Sequence, residues 1–218
     1  MSLVTTDIDW MVRELEQTGD FRVLRRLKPR MHVHPPDGIS TKTAIFFDVE
    51  TTGLDLAKSE IIELAMVPFK FSADGRIFDV GEPLQQFNEP LGPIPAEITD
   101  LTGITDELVA GQRLDKEQIE AFADQAVILI AHNAAFDRPF AEKISPLFGA
   151  KPWACSMCGI PWKEEGVEGR RLADLLARFG LFFNSHRASE DCLAAIELLM
   201  LAAVMTSAFP ARSSLRAL

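Results

Sequence analysis

The 218-residue chain contains no tyrosine, four histidines and three cysteines. Three thiols (Cys155, Cys158 and Cys192) cannot build a disulfide framework, so a reducing, cytoplasmic setting is expected. No long uninterrupted apolar run is present. The longest, Cys192 to Met205, is broken by Glu197 and is too short to span a bilayer. The opening MSLVTTDIDW carries Asp7 and Asp9 and lacks the apolar core of an export signal. No membrane partner is therefore expected. Basic charge is also scarce: 22 Lys+Arg face 32 Asp+Glu, a formal net charge of −10. That balance excludes a protein that holds nucleic acid by bulk electrostatics. What is present, 47% hydrophobic and 25% charged residues, is the composition of a folded globule and excludes a disordered or coiled-coil chain.

The charge is uneven. Residues 1–42 carry 7 basic and 6 acidic side chains, and the remainder carries 15 and 26. If the acidic part meets a polyanion, the positive charge must come from elsewhere, and a bound divalent metal is the obvious source. The punctuation of the chain agrees with a division near residue 40. Residues 1–31 read as helical, with Thr5 or Thr6 capping a helix to about Gln17, Gly19 ending it and Asp20 starting FRVLRRLKPR. HVHPPDGIS (32–40) is a turn-rich linker. The domains expected are a helical extension and linker, 1–40, and a catalytic domain, 41–218.

Beyond the linker the period changes. TAIFFDVE (43–50) is a buried strand, EIIELAMVPFKF (60–71) a second with Pro68 marking an edge or bulge, and RIFDVGEPLQQF (76–87) a third. Short turns, including Asp74-Gly75, make these three antiparallel. PAEITDLTG, TDELVAG and DKEQIEAFAD are helical, with Pro95 and Gly103 at the ends of the first. AVILIA (126–131) is a strand, and AAFDRPFAEKISPLFG a helix with Pro139 in its first turn. KPWAC is a short strand, and GRRLADLLARFG and EDCLAAIELLMLAAVM are closing helices. The pattern is α/β: a mixed sheet of about five strands flanked by helices, its site beyond the carboxyl ends of the central strands.

Three clusters fall at such ends. Asp48 and Glu50 lie two apart on a strand and point to one face, where they repel unless a cation sits between them. His132-Asn133-Ala134-Ala135-Phe136-Asp137 follows AVILIA, with Asn133 at a helix cap and Asp137 in the first turns. His186 and Asp191 would be about 140° apart on one helix, so they converge only if His186 sits on the preceding loop, with Ser185 or Ser189 as cap. Four carboxylates and one titratable base suit Mg²⁺ or Mn²⁺ rather than zinc. Two such ions form a clamp for phosphodiester hydrolysis, with the histidine taking the proton of the attacking water.

FFDVETTGLD (46–55), HNAAFD (132–137) and HRASED (186–191) resemble the three motifs of the DEDDh exonuclease family, which includes the proofreading epsilon subunit of bacterial DNA polymerase III, RNase T and oligoribonuclease. IPAEITDLTGITDELV (94–109) is similar to the stretch between the first two motifs of the epsilon type. The resemblance implies a ribonuclease H-like fold and hydrolysis from the 3′ end to 5′-mononucleotides. It assigns Asp48, Glu50, Asp137 and Asp191 to two divalent ions, Mg²⁺ or Mn²⁺, with Asp48 bridging both, and His186 to the general base. Thr52, Gly53 and Leu54 would hold the terminal nucleotide, flanked by Asn133 and Phe136. The tyrosine variant of the family is excluded, since His186 occupies that place.

The partner implied is a nucleic-acid 3′ end, single-stranded DNA before RNA, with an RNA or short-oligonucleotide exonuclease as the alternative. A DNA polymerase or a second copy of the chain are further partners, and a non-catalytic polymerase-binding subunit is a reading of another class. The short tail PARSSLRAL leaves little room for the C-terminal segment through which the epsilon subunit joins its polymerase. Other features read as bland. Cys155-x2-Cys158 lacks a second pair and is taken as two buried or half-buried thiols; His32 and His34 belong to an exposed turn; His132 is structural. Arg22, Arg25, Arg26, Lys28 and Arg30 are taken as a solvated helix face rather than an arm on the nucleic-acid backbone.

Overall fold

The computed structural model describes residues 3–164 and 167–208, with side chains described for 7–164 and 167–202. The cap side chains of Thr5 and Thr6 and the tail from residue 209 lie outside the described residues.

The sheet grows from one strand. β2 (Thr41–Thr51) pairs antiparallel with β3 (Ile61–Ser72) and parallel with β6 (Ile128–Ala131), which pairs parallel with β7 (Trp153–Cys155). β4 (Ile77–Phe78) and β5 (Leu84–Phe87) share the outer edge of β3, both antiparallel. The expected third strand is thus two short ones, and Pro68 lies on an internal strand in the gap between them, where Gly81 N donates to Pro68 O at 2.8 Å. A residue with no N–H costs nothing where no ladder partner faces it.

β2 is apolar from Ala44 to Phe47 because both its faces are covered there. Ala44 and Phe46, with Ala65, Val67 and Phe69 of β3, pack on α7 (Leu172–Arg178) and α8 (Ala188–Ala208) through Leu175, Leu176, Cys192, Ala195 and Leu199. Ile45, Phe47 and Val49, with Leu64 and Met66, pack on α4 (Lys116–Asp124), α5 (Ala134–Ile144) and α6 (Pro146–Ala150) through Ile119, Ala123, Phe140 and Phe148. The strand's period of two thus distributes one run between two cores. α2 (Ala96–Thr102) runs from Pro95 to a left-handed Gly103 (φ 72°), and α3 (Asp106–Val109) is capped by Thr105.

The expected helix AAFDRPFAEKISPLFG divides in two. Ser145 is extended, its hydroxyl accepts from Leu147 N, and Pro146 begins α6. Pro139 sits at the sixth position of α5 rather than in its first turn, so one helical hydrogen bond is forgone there.

The largest departure is at the N-terminal side. α1 (Leu3–Gln17) forms as expected, but FRVLRRLKPR is extended. β1 (Arg25–Arg26) pairs parallel with β8 (Leu181–Phe182), and Leu27 is buried in the α7–α8 core. The basic residues do not share a helix face: Arg25 pairs with Asp9 at 2.6 Å, Arg26 lies over the Phe182 ring, Arg22 donates to Ala177 O, and Arg30 pairs with Glu197 at 2.8 Å. Among the described residues no helix is long and apolar enough to cross a membrane.

Glu197 lies inside α8 with its side chain 8% exposed, and Arg30 meets it from the arm. Arg30→Ala leaves that carboxylate buried without its cationic partner, with only the backbone N–H of residue 30 donating to it at 3.4 Å, and it should cost about 2 kcal/mol in urea unfolding, while Arg30→Ala/Glu197→Leu should recover most of the loss. A single variant as stable as the parent would show that the pair contributes nothing.

Candidate active site

Asp48 and Glu50 end β2 on its α8-facing side, as their spacing requires. Asp137 is the fourth residue of α5, 3% exposed, and its Oδ1 accepts from Val49 N at 3.3 Å. Asp191 is the fourth residue of α8, and its Oδ2 accepts from Arg187 N at 3.0 Å. Neither Ser185 nor Ser189 makes the helix-start contact; the carboxylate that reaches back does. His186 lies on the loop before α8 with φ 67°, so it leaves the helix face that Asp191 occupies. Carboxylate oxygens of Asp48, Glu50 and Asp191 lie within 4.8 Å of one another.

These residues line a cavity of about 340 Å³ together with Gly53, Leu54, Asn133, Phe136 and Asp137. Thr52 does not line it. Its N–H donates to Glu60 O at 2.9 Å and its hydroxyl accepts from Glu60 N at 3.0 Å, closing the loop from below. Buried Thr51 and Val49 line the cavity instead, and the pairing with β3 shifts register between Glu50 and Thr51. A side-chain methyl at Gly53 would stand 3.0 Å from Ser59 Oγ, so the loop's close fold favours glycine. Leu54 is 85% exposed at the rim. Asn133 occupies the helix cap position, but its side chain accepts no cap hydrogen bond and is exposed.

The opposite wall was not read from the sequence. Ile98, Leu101 and Thr102 of α2 and Leu172 of α7 line it. Leu101 is 51% exposed, and an apolar side chain left facing a cavity is the signal that identifies it. His132 is built into the frame: Nε2–H donates to Arg170 O at 2.7 Å and Nδ1 accepts from Ser156 Oγ at 2.9 Å. Cys158 is exposed rather than buried, and Cys155 is half-buried.

A family model described as "Exonuclease", of the RNase T type, matches residues 45–199. The chain belongs to this exonuclease family. Among curated relatives it is 33% identical over 161 residues, 71% of its own length, to the PolC-type DNA polymerase III of Clostridium perfringens. It is 40% identical over 104 residues, 47% of its length, to that of Bacillus subtilis. It spans 11% and 7% of those proteins. Among solved structures, the E. coli ExoI–ssDNA complex aligns over 78% of this chain and 42% of that one, with a TM-score of 0.58 and 18% identity. Exonuclease X in complex with 5′ overhanging duplex DNA aligns over 79% and 99%, with a TM-score of 0.55 and 23% identity. At these identities the structural likeness establishes the ribonuclease H-like exonuclease fold.

Within that fold the carboxylates are set against one another. Burial, then Asp137, Asp191, Glu50 and Glu63, pushes Asp48 well above its ordinary value. Burial, then Asp191 and Glu63, raises Glu50 from 4.5 to about 8, against a lowering by Arg187. Burial raises Asp137 and Asp191 to about 7, although backbone N–H groups favour both anions. Burial lowers His186, which favours the neutral imidazole. Oxygen ligands of this number and mutual repulsion fit a hard divalent cation such as Mg²⁺ or Mn²⁺.

A carboxyl whose folded value lies above its unfolded one contributes stability below the unfolded value and loses it as pH rises through the folded value. For Glu50 that window runs from 4.5 to about 8. In EDTA, Glu50→Gln should therefore raise Tm over the parent more at pH 8 than at pH 5, and Mg²⁺ should stabilise the parent more than the variant. An equal Tm difference at both pH values would contradict the crowding of this site.

Proposed function

We propose that the chain is a metal-dependent 3′–5′ exonuclease that removes 5′-mononucleotides from DNA ends. The convergence of Asp48, Glu50 and Asp191 within 4.8 Å, on a cavity that also holds His186, carries the reading. The cavity, about 340 Å³, is small for a duplex and suits a single strand end. Its apolar side, Leu54, Leu101, Ile98 and Phe136, offers faces on which a terminal base can rest. DNA is favoured because the relatives are named as DNA polymerases and the structural neighbours are in complex with DNA.

In this reading Asp48, Glu50, Asp137 and Asp191 would hold two divalent ions. When bound, such ions would supply positive charge against the scissile phosphate and lower the pKa of the attacking water. His186 accepts that water's proton, which its depressed basicity and loop position allow at neutral pH. Leu54 and Phe136 orient the terminal nucleotide, and the backbone at Gly53 approaches it closely.

The test uses 3′- or 5′-labelled single-stranded DNA and matched RNA with Mg²⁺, Mn²⁺ or EDTA. Stepwise shortening from the 3′ end is expected, absent in EDTA, reduced to background in Asp48→Ala and reduced about 100-fold or more in His186→Ala. DNA should be shortened faster than RNA; a reversed ratio would move the reading to an RNA exonuclease. Folded, metal-binding protein that shortens neither polymer would leave the binding-subunit reading in its place.

A further inference from the structure

Glu63 belongs to none of the motifs, yet it is a carboxylate with 0% exposure, directly across the ladder from Glu50. Placing a second acid there is costly: Glu63 is one of the groups that raise Asp48, Glu50 and Asp191. Its ligand atoms are not part of the cluster formed by Asp48, Glu50 and Asp191. They turn instead to the start of α8. Oε2 accepts from Ala188 N at 3.1 Å and from Arg187 Nε at 3.3 Å. Oε1 accepts from Arg187 Nη2 at 3.3 Å and from Gln85 Nε2. The guanidinium also lies 5.8 Å from the Phe87 ring centroid, and Phe87 pairs with Glu63 on the far side of β3.

Arg187 is the residue after His186. Its backbone is held on both sides by Asp191, N to Oδ2 at 3.0 Å and O from Asp191 N at 2.9 Å. His186 itself has φ 67°, a left-handed conformation that is unfavourable for a residue with a Cβ. Such a conformation persists only where its surroundings over-determine it. The bidentate fork of Arg187 on Glu63 fixes the side chain of the next residue, and Glu63 on Ala188 N fixes the helix start beyond it.

We propose that the Glu63–Arg187 pair is a positioning device that holds His186 in its left-handed conformation over the carboxylate cluster. Glu63 acts through His186 and touches neither substrate nor ion. The inference rests on His186 being the proton acceptor proposed above.

The test compares Glu63→Ala, Arg187→Ala and His186→Ala with the double variants Glu63→Ala/His186→Ala and Arg187→Ala/His186→Ala, on single-stranded DNA with saturating Mg²⁺. Each single variant at the pair should lose about 10- to 100-fold in kcat, with KM within about threefold of the parent. Each double variant should be no slower than His186→Ala alone, because a device that acts through His186 has nothing left to act on. Double variants slower than His186→Ala would overturn the proposal and place Glu63 with the ion site or with folding alone. A raised KM at unchanged kcat would also overturn it and make Arg187 a substrate contact. Parent-like rates in both pair variants, with His186→Ala impaired, would end this inference and leave the base assignment standing. A parent-like His186→Ala would end both. Should thermal unfolding show Glu63→Ala unfolded, the Arg187 series decides, since that side chain is 35% exposed.

Discussion

Four carboxylates are forced together at the end of a strand that is buried on both faces, and the rest of the structure accommodates that repulsion. Two helix starts are aimed at it. Asp137 and Asp191 are each the fourth residue of a helix, where backbone N–H groups and the helix dipole favour an anion. Each is tied by a backbone donor, from Val49 and from Arg187. These contacts offset part of the cost, yet Asp137 and Asp191 still stand at about 7 and Glu50 at about 8. The protein's own dipoles do not cancel the cost of burial, and a carboxylate cluster of this kind fits a hard divalent cation.

The same constraint explains the two-sided core. A site that stores like charge must be held by a frame that cannot relax. Phe46 and Phe47 face opposite layers one residue apart, so β2 is clamped between α8 and the α4–α6 layer up to the point where Asp48 emerges. α8 is apolar nearly all round from Cys192 to Ala202 for the same reason: that part is buried in the core it shares with the sheet and α7, and its start delivers Asp191.

Much of this was legible. TAIFFDVE reads as a buried strand because it is a short apolar run rich in strand formers, and the 140° mismatch between His186 and Asp191 already requires the histidine to leave the helix, as its φ shows. What was not legible depended on distant partners. FRVLRRLKPR has local helical character, but an unpaired edge at β8 and a core place for Leu27 draw it into an extended form. Thr51 lines the cavity and Thr52 does not, because Thr52 is tied to Glu60 by both its N–H and its hydroxyl, pairings that spacing alone cannot reveal. Leu101 lies in the stretch 94–109, whose likeness assigns it no role, and Glu63 belongs to no motif; the first is ordinary on an amphipathic helix, and the second is hidden inside the apolar run IIELAMV until its partners in the fold are seen.

The fate of the basic residues bears on how an acidic protein meets a polyanion. Arg25 is paired with Asp9, Arg30 with Glu197, Arg187 with Glu63, and Arg22 and Arg26 are placed on Ala177 O and Phe182. Arg22, Arg25, Arg26 and Arg30 are thus each engaged with the protein itself rather than set out along one helix face. With a net charge of −10, long-range attraction for nucleic acid is weak or repulsive. Under the proposed function, affinity is then concentrated where the carboxylates gather cations, and binding and hydrolysis are linked through the same ions. A strand is held where it can be cut and poorly elsewhere, which suits an enzyme that acts on ends rather than one that tracks a duplex.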